Sequence, residues 1–287
     1  MCYGAVAMTS APLTTRRAAL GALAAAPFAL RAASGTKIPV GLELYSVRDE
    51  LKKDPMATLQ GVAKAGYDCV EFFAPYVEWT PEYAKQIKKQ LDDLNLRCYS
   101  THNGFATFSP DGLAKAIQLN KILDAHYIVM SSAGKVDTID GWKHIAEILN
   151  QANETVHKEG LHAGYHNHDA EWRPIDGQRP MDVLASSTDK GVMLQFDVGT
   201  CVEAGADPVA WINQNPGRIR SLHLKDWGPQ KKYRVLFGEG TIPWKQLFAA
   251  AEKTGGVEFY LIEQEGSDYP EMETAERCLV AYKDIHG

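Results

Sequence analysis

Basic charge, paired cysteines and long apolar runs are what this sequence has little of. Asp and Glu outnumber Lys and Arg by 36 to 30, giving a net charge of -6. A chain of that balance offers no electrostatic footprint for a phosphate backbone, so a nucleic-acid partner is not expected. The five cysteines, Cys2, Cys69, Cys98, Cys201 and Cys278, show no CxxC spacing. An odd number at such intervals excludes a disulfide framework and reads instead as small buried apolar thiols. There is no P-loop and no dinucleotide fingerprint. Phe237-Gly238-Glu239-Gly240 lacks the GxGxxG spacing, precedes Pro243-Trp244 at a helix start, and reads as a turn. The uncharged run 18–30 is thirteen residues long, too short to span a bilayer, so no stable membrane anchor is expected.

What is present begins with an N-terminus different in kind from the rest. Arg16 and Arg17 precede the apolar run, and Ala32, Ala33 and Ser34 follow it. That is the layout of a secretory signal over residues 1–36, and the adjacent arginines behind Thr14 and Thr15 resemble a twin-arginine signal, which exports proteins already folded. Ala19 departs from the pattern, which favours a bulky apolar residue there. An amphipathic or unstructured extension is the alternative. The reading places the protein in the periplasm or outside the cell, and fold reasoning starts at Lys37.

From there the chain alternates β-rich runs with helical ones, without a linker or composition shift to divide it. Strands are expected over 39–45, 69–73, 97–102, 127–131, 162–168, 192–198, 221–225 and 259–263. Helices are expected over 57–65, 81–94, 111–123, 141–159, 181–186, 208–213, 244–254 and near 272–285. Thr80-Pro81 and Ser109-Pro110 each supply a cap followed by proline in the first turn. Alternation of this kind implies parallel pairing, and eight repeats imply closure into one (β/α)8 barrel over 37–287; an open doubly wound sheet is the rival.

A barrel brings the C-terminal ends of its strands to one mouth, where reactive groups sit. In this chain those ends carry Glu43 and Tyr45, Glu71, His102, Ser131, His166 and His168, Asp197, His223 and Lys225, and Glu263. Charges at the ends of apolar strands are costly unless paired or metal-bound. Period-two alternation puts Gln195 with Asp197, and Ser221, His223 and Lys225 together, on inward faces. It does the same for Phe259, Leu261 and Glu263, and for Gly164, His166 and His168. For Asp197 a helix cap is the competing role, for His223 a hydrogen-bonded core histidine, and for Lys225 a rim salt bridge. Carboxylates and an imidazole from separate strands form a ligand set for Mn²⁺, Mg²⁺, Co²⁺ or Zn²⁺. Buried carboxylates would repel unless a cation sat between them.

The motifs LELYSVRD, YHNHDAEW, FDVGT, SLHLKDW, FGEGTIPW and LIEQEG resemble those of the xylose isomerase-like barrels of the sugar phosphate isomerase/epimerase superfamily, over residues 38 to about 285. The resemblance implies a divalent ion, Mn²⁺ by preference, held by Asp197, His223 and Glu263. The fourth ligand stays open, because sugar-acting members carry a glutamate within the fifth strand where this chain has His166. Either Glu171 folds back to the metal, or His166 replaces the strand glutamate. The resemblance further implies proton abstraction beside a metal-bound carbonyl, with His168, Glu171 and Glu263 as base candidates and Lys225 as a stabiliser of developing charge. Glu43, Glu71, His102 and His166 are candidates for binding sugar hydroxyls. Trp172 and Trp227, with Phe73 and Phe105, are candidates for apolar walls. The expected substrate is a sugar or oxidised sugar, and the expected reaction is isomerisation or epimerisation, with dehydration or lysis of an inosose or 3-oxo-glycoside as the alternative. Two further readings are an endonuclease IV-like nuclease, which would carry another histidine shortly after Asp197, and a sugar-binding module without turnover. The oligomeric state is open, a homodimer being one option.

Overall fold

In the computed structural model, residues 37–287 are described together with residues 1, 2 and 4. The expected signal segment therefore lies outside the described residues. Lys37–Gly287 forms one compact unit. Among the described residues, no helix is long and apolar enough to cross a membrane.

Eight parallel strands close into a barrel in sequence order: β1 (Val40–Glu43), β2 (Cys69–Phe72), β3 (Arg97–Gly104), β4 (Tyr127–Ser132), β5 (His162–His166), β6 (Met193–Asp197), β7 (Ser221–Leu224) and β8 (Phe259–Ile262). Closure is made by β8 pairing with β1, Leu261 opposite Gly41, which rules out the open sheet. The helices between strands start where the sequence caps them. Asp54, Thr80, Ser109 and Asp207 each accept a backbone N–H one turn into a helix whose first residue is proline. Two short helices were not anticipated: Arg48–Lys53, and Val198–Glu203, whose N-cap is Asp197 itself.

Alternation sorts the side chains into three zones. Facing the barrel axis at the base, Cys69, Tyr127, Val129, Met193, Phe259 and Leu261 form a closed apolar plug. Above it, on the same inward faces, come the polar strand ends. Outward residues pack against the helices in the main core, which includes Tyr165, Leu194, Phe196, Leu222 and Ile262. Gly41 serves the plug directly, since a Cβ there would lie 2.5 Å from the Cys69 Sγ.

Two expectations change here. Strand β5 stops at His166, short of His168, because Asn167 leaves the ladder. Its side chain spans to β6 instead, Nδ2 donating to the Asp197 carbonyl at 3.2 Å and Oδ1 accepting from the Asp197 N–H at 3.1 Å. Trp172 is not a wall of the mouth. It is 3% exposed and wedged between Phe196 and Trp211, with ring centroids 5.7 and 5.2 Å away. The reason is that Phe196 faces outward from β6, so the turn after β5 drops its tryptophan into the layer between strands and helices. Phe105, by contrast, is 46% exposed. Trp172→Ala is accordingly expected to lower stability by about 3–5 kcal/mol, read as a shift in the urea midpoint, while Phe105→Ala shifts it by less than about 0.5 kcal/mol.

Candidate metal centre

The inward ends of β5, β6, β7 and β8 bring His166, Asp197, His223 and Glu263 together, each offering one ligating atom within 4.8 Å of the others. All four are buried. Each strand contributes because its polar residue falls on the same phase as the plug below it: Met193 precedes Gln195 and Asp197 on β6, and Phe259 and Leu261 precede Glu263 on β8. Asp197 does two things. Its Oδ1 accepts the Thr200 N–H at 2.8 Å and caps the helix behind it, while Oδ2 is buried with no hydrogen-bond partner. The helix-cap role thus occupies one oxygen of the carboxylate and leaves the other available to a cation.

His166 Nδ1 is the second orphan, also buried and unpartnered. His223 has its Nδ1 2.6 Å from Glu263 Oε2 and its Nε2 2.8 Å from Glu71 Oε2. Two buried atoms without hydrogen-bond partners, on residues of one converging set of nitrogen and carboxylate donors, are what a divalent cation could satisfy. These residues fit such an ion, and Glu71, behind His223, would fix the ring as its outer partner.

The charges show the same demand. Burial alone would lower the His223 pKa, but its hydrogen bonds to Glu263 and Glu71 and their charges raise it to about 9. Glu263 is held well below the usual carboxylate range, burial being outweighed by the Lys225 charge and the His223 hydrogen bond. Burial pushes the Asp197 carboxyl up against the opposing pull of Lys225. Burial, with the neighbouring His223 and His102, drives His166 well below the ordinary imidazole value and keeps it neutral. Lys225, 3% exposed, reaches Glu263 Oε1 at 3.2 Å and Asp197 Oδ2 at 3.8 Å, and also pairs with Glu265. Its pKa stands well above normal, since Glu263, Asp197 and Glu265 outweigh its burial. The lysine is therefore inside the site and not a rim salt bridge. Tyr233, which the sequence did not mark, lies with its ring 4.9 Å from the ammonium.

Around this set, Glu43, Glu71 and His102 line the neighbouring inner wall, all buried. Gln195 links them, donating to Glu71 Oε1 at 2.9 Å and bonding His102 Nε2 at 2.6 Å. His168 is half-buried beyond the strand end, its ring edge-on to His166 at 5.0 Å. Trp227 lies on the loop after β7, half-buried, with the Lys232 ammonium 5.0 Å from its ring. Phe73 meets Tyr45 edge-on at 5.3 Å, next to the ends of β1 and β2.

Glu171 is the expected ligand that the fold places elsewhere. Its Oε1 accepts the Tyr165 hydroxyl at 2.5 Å and its Oε2 the His168 N–H at 2.9 Å. Tyr165 points outward, opposite in phase to Gly164 and His166, and it anchors the carboxylate on that side. Glu171 belongs to none of the converging ligand groups among the described residues, and its hold on the His168 backbone makes it a brace for the turn. Period-two alternation was the signal that could have placed it, once Tyr165 was counted as a hydrogen-bond donor.

Two outcomes follow. His166→Ala is expected to weaken Mn²⁺ binding more than tenfold by titration calorimetry, whereas Glu171→Gln changes it less than about threefold. Since a cation must displace the proton that His223 holds up to about pH 9, apparent affinity is expected to rise with pH by about tenfold per unit and to level off near that pKa.

A family model described as the xylose isomerase-like TIM barrel matches residues 59–280. Among curated proteins, an inosose dehydratase from Clostridium beijerinckii is 27% identical over 244 residues, covering 71% of this chain and 80% of that protein. One from Clostridium botulinum is 26% identical over 243 residues, with the same shares of each. Among solved structures, a sugar phosphate isomerase/epimerase from Parabacteroides distasonis superposes with a TM-score of 0.74 at 26% identity, over 88% of this chain and 97% of that one. With the family's match over most of its length and buried histidine and carboxylate sets at the barrel mouth, the chain is an enzyme that belongs to the xylose isomerase-like TIM barrel family.

Proposed function

We propose that the protein is a divalent-metal-dependent dehydratase or lyase that removes a proton beside the carbonyl of an oxidised sugar or inosose and expels a β-oxygen. The observation that carries this reading is the polarity of the mouth. Glu263, Glu43 and Glu71 come from the contiguous strands β8, β1 and β2, whereas the three histidines His102, His166 and His223 come from β3, β5 and β7, with Asp197 on β6 as the one carboxylate among them. A carboxylate side and a nitrogen side suit a reaction in which one group takes a proton from carbon and a different one gives a proton to a departing oxygen. The curated relatives named inosose dehydratase, matched over 80% of their length, support the same choice.

The residues divide the work as follows. His166, Asp197, His223 and Glu263 would hold the cation, Mn²⁺ by preference, and what it supplies when bound is polarisation of the substrate carbonyl. Glu263 is placed to accept the proton from the neighbouring carbon. The electron pair of that C–H bond becomes the new C=C bond as the β C–O bond breaks, and the leaving oxygen takes a proton from His168 at the rim. Lys225, buried and charged, stabilises negative charge as it develops on oxygen. Glu171 keeps a part by holding the His168 backbone. The N-terminal arginine pair and apolar run add the proposal that the enzyme is exported folded and acts in the periplasm on unphosphorylated substrates.

Isomerisation or epimerisation is the second reading, favoured by the similarity to the sugar phosphate isomerase/epimerase structure. Incubating the Mn²⁺-loaded protein in D₂O with inososes, 3-oxo-glucosides and ketoses separates the two. An unsaturated carbonyl product absorbing in the ultraviolet is expected, with Glu263→Gln slowing it by about 10²–10⁴-fold. Deuterium incorporation without that product selects isomerisation, and neither would leave a sugar-binding module.

A further inference from the structure

We infer that Gln195 is a positioning residue: it fixes the His102 imidazole with its proton on Nε2, so that Nδ1 is presented bare to the mouth as an acceptor for a substrate hydroxyl. The identity of that ligand rests on the reading of the mouth as a site for an inosose or oxidised sugar. The placement of the proton does not, since it follows from which atoms face one another.

Donors and acceptors run in one direction from Glu71 on β2, through Gln195 on β6, to His102 on β3. A carboxylate only accepts, and the Gln195 side chain lies 2.9 Å from Glu71 Oε1. The two ends of a carboxamide are told apart by their partners, so the amino end of Gln195 faces Glu71 and its carbonyl oxygen faces the other way. That oxygen is 2.6 Å from His102 Nε2. An amide oxygen has no proton to give, and Nε2 is therefore the donor. The same nitrogen stands 3.1 Å from Glu71 Oε2, a second acceptor on that side. Gln195 is 0% exposed, so water offers neither end of the amide an alternative.

The opposite edge of the ring has no such partner. His102 Nδ1 stands 3.9 Å from Glu43 Oε1, beyond hydrogen-bond reach, and makes no hydrogen bond among the described residues. Unlike His166 Nδ1 it is not a sealed atom, and the residue keeps 7% exposure. The ring plane is held as well, stacked on His223 with centroids 5.0 Å apart and 11° from parallel, and 4.6 Å from the His166 ring. Glu71 is not free to receive a hydroxyl, because it already accepts from Gln195 and from His223 Nε2 at 2.8 Å and shares a side-chain hydrogen bond with Glu43. Hydroxyl recognition beside β3 thus falls to a bare ring nitrogen, which takes the hydroxyl proton without adding negative charge to the mouth. A polar group built to pair with a ligand hydroxyl rejects the analogue that lacks it, so the site selects a free hydroxyl over its deoxy counterpart.

The test reads the ring directly. Nitrogen-15-labelled full-length protein with diamagnetic Mg²⁺ is measured by long-range proton–nitrogen NMR of its imidazoles at neutral pH, the His102 signals being assigned by their loss in His102→Gln. A protonated Nε2 and a bare Nδ1 are expected in the wild type, and an averaged or inverted pattern in Gln195→Met. A wild-type proton on Nδ1 or on both nitrogens, or a His102 pattern unchanged in Gln195→Met, overturns the positioning role. The wild-type spectrum decides whether or not the variant folds. Adding an inosose is expected to shift the Nδ1 resonance, its deoxy analogues to leave it in place, and Gln195→Met to bind the inosose about tenfold more weakly, the scale of one lost hydrogen bond. Equal shifts with both ligands, or no shift with either, overturn the hydroxyl contact. The expected tautomer and shift without any unsaturated product would overturn the dehydratase reading alone.

Discussion

Asp197 and Glu263 stand at the ends of β6 and β8, on either side of β7 and buried, with the Lys225 ammonium and the His223 imidazolium as the cations against them. Several kcal/mol per ion is the usual cost of taking such charges out of water, and it is met only where the partners and hydrogen bonds are complete. Here they are not complete, because Asp197 Oδ2 and His166 Nδ1 remain without hydrogen-bond partners. A divalent ion held by His166, Asp197, His223 and Glu263 would remove that deficit, with loss of the His223 proton.

The barrel is what makes such a concentration of charge tolerable. Below the site, the apolar plug of Tyr127, Val129, Met193, Phe259 and Leu261 fills the interior, so the polar ends are confined to one layer. Around it, Asn167 stitches β5 to β6 through the backbone of Asp197, and Gln195 joins β3 to β2 through His102 and Glu71. These amide side chains hold the ligands in place without adding charge. Glu171 performs a related task from outside the ring, clamping the turn that carries His168.

Much of this was legible in the sequence, and for a simple reason. Strand positions, the parallel order and the inward phase of Asp197, His223 and Glu263 all depend on local periodicity, which a barrel copies faithfully into three dimensions. The turn after β5 was less legible. YHNHDAEW offers a tyrosine, five further polar side chains and a tryptophan to an unknown backbone path, which left Glu171 and His166 both open as the fourth ligand. Once the strand ends at His166, Glu171 is captured by Tyr165 and Trp172 by Phe196 and Trp211, contacts with no mark in local spacing.

The sequence by itself determined the eight alternating units, the charged strand ends and the face on which each lies, because those follow from backbone period and apolar patterning. Only the tertiary structure decided which strand ends converge closely enough to share one cation, which carboxylates are braces, and that Glu43, Glu71 and His102 lie together. Those outcomes depend on distances between strands far apart in the chain and on which buried atoms are left without a hydrogen bond, quantities that exist only after the barrel has closed.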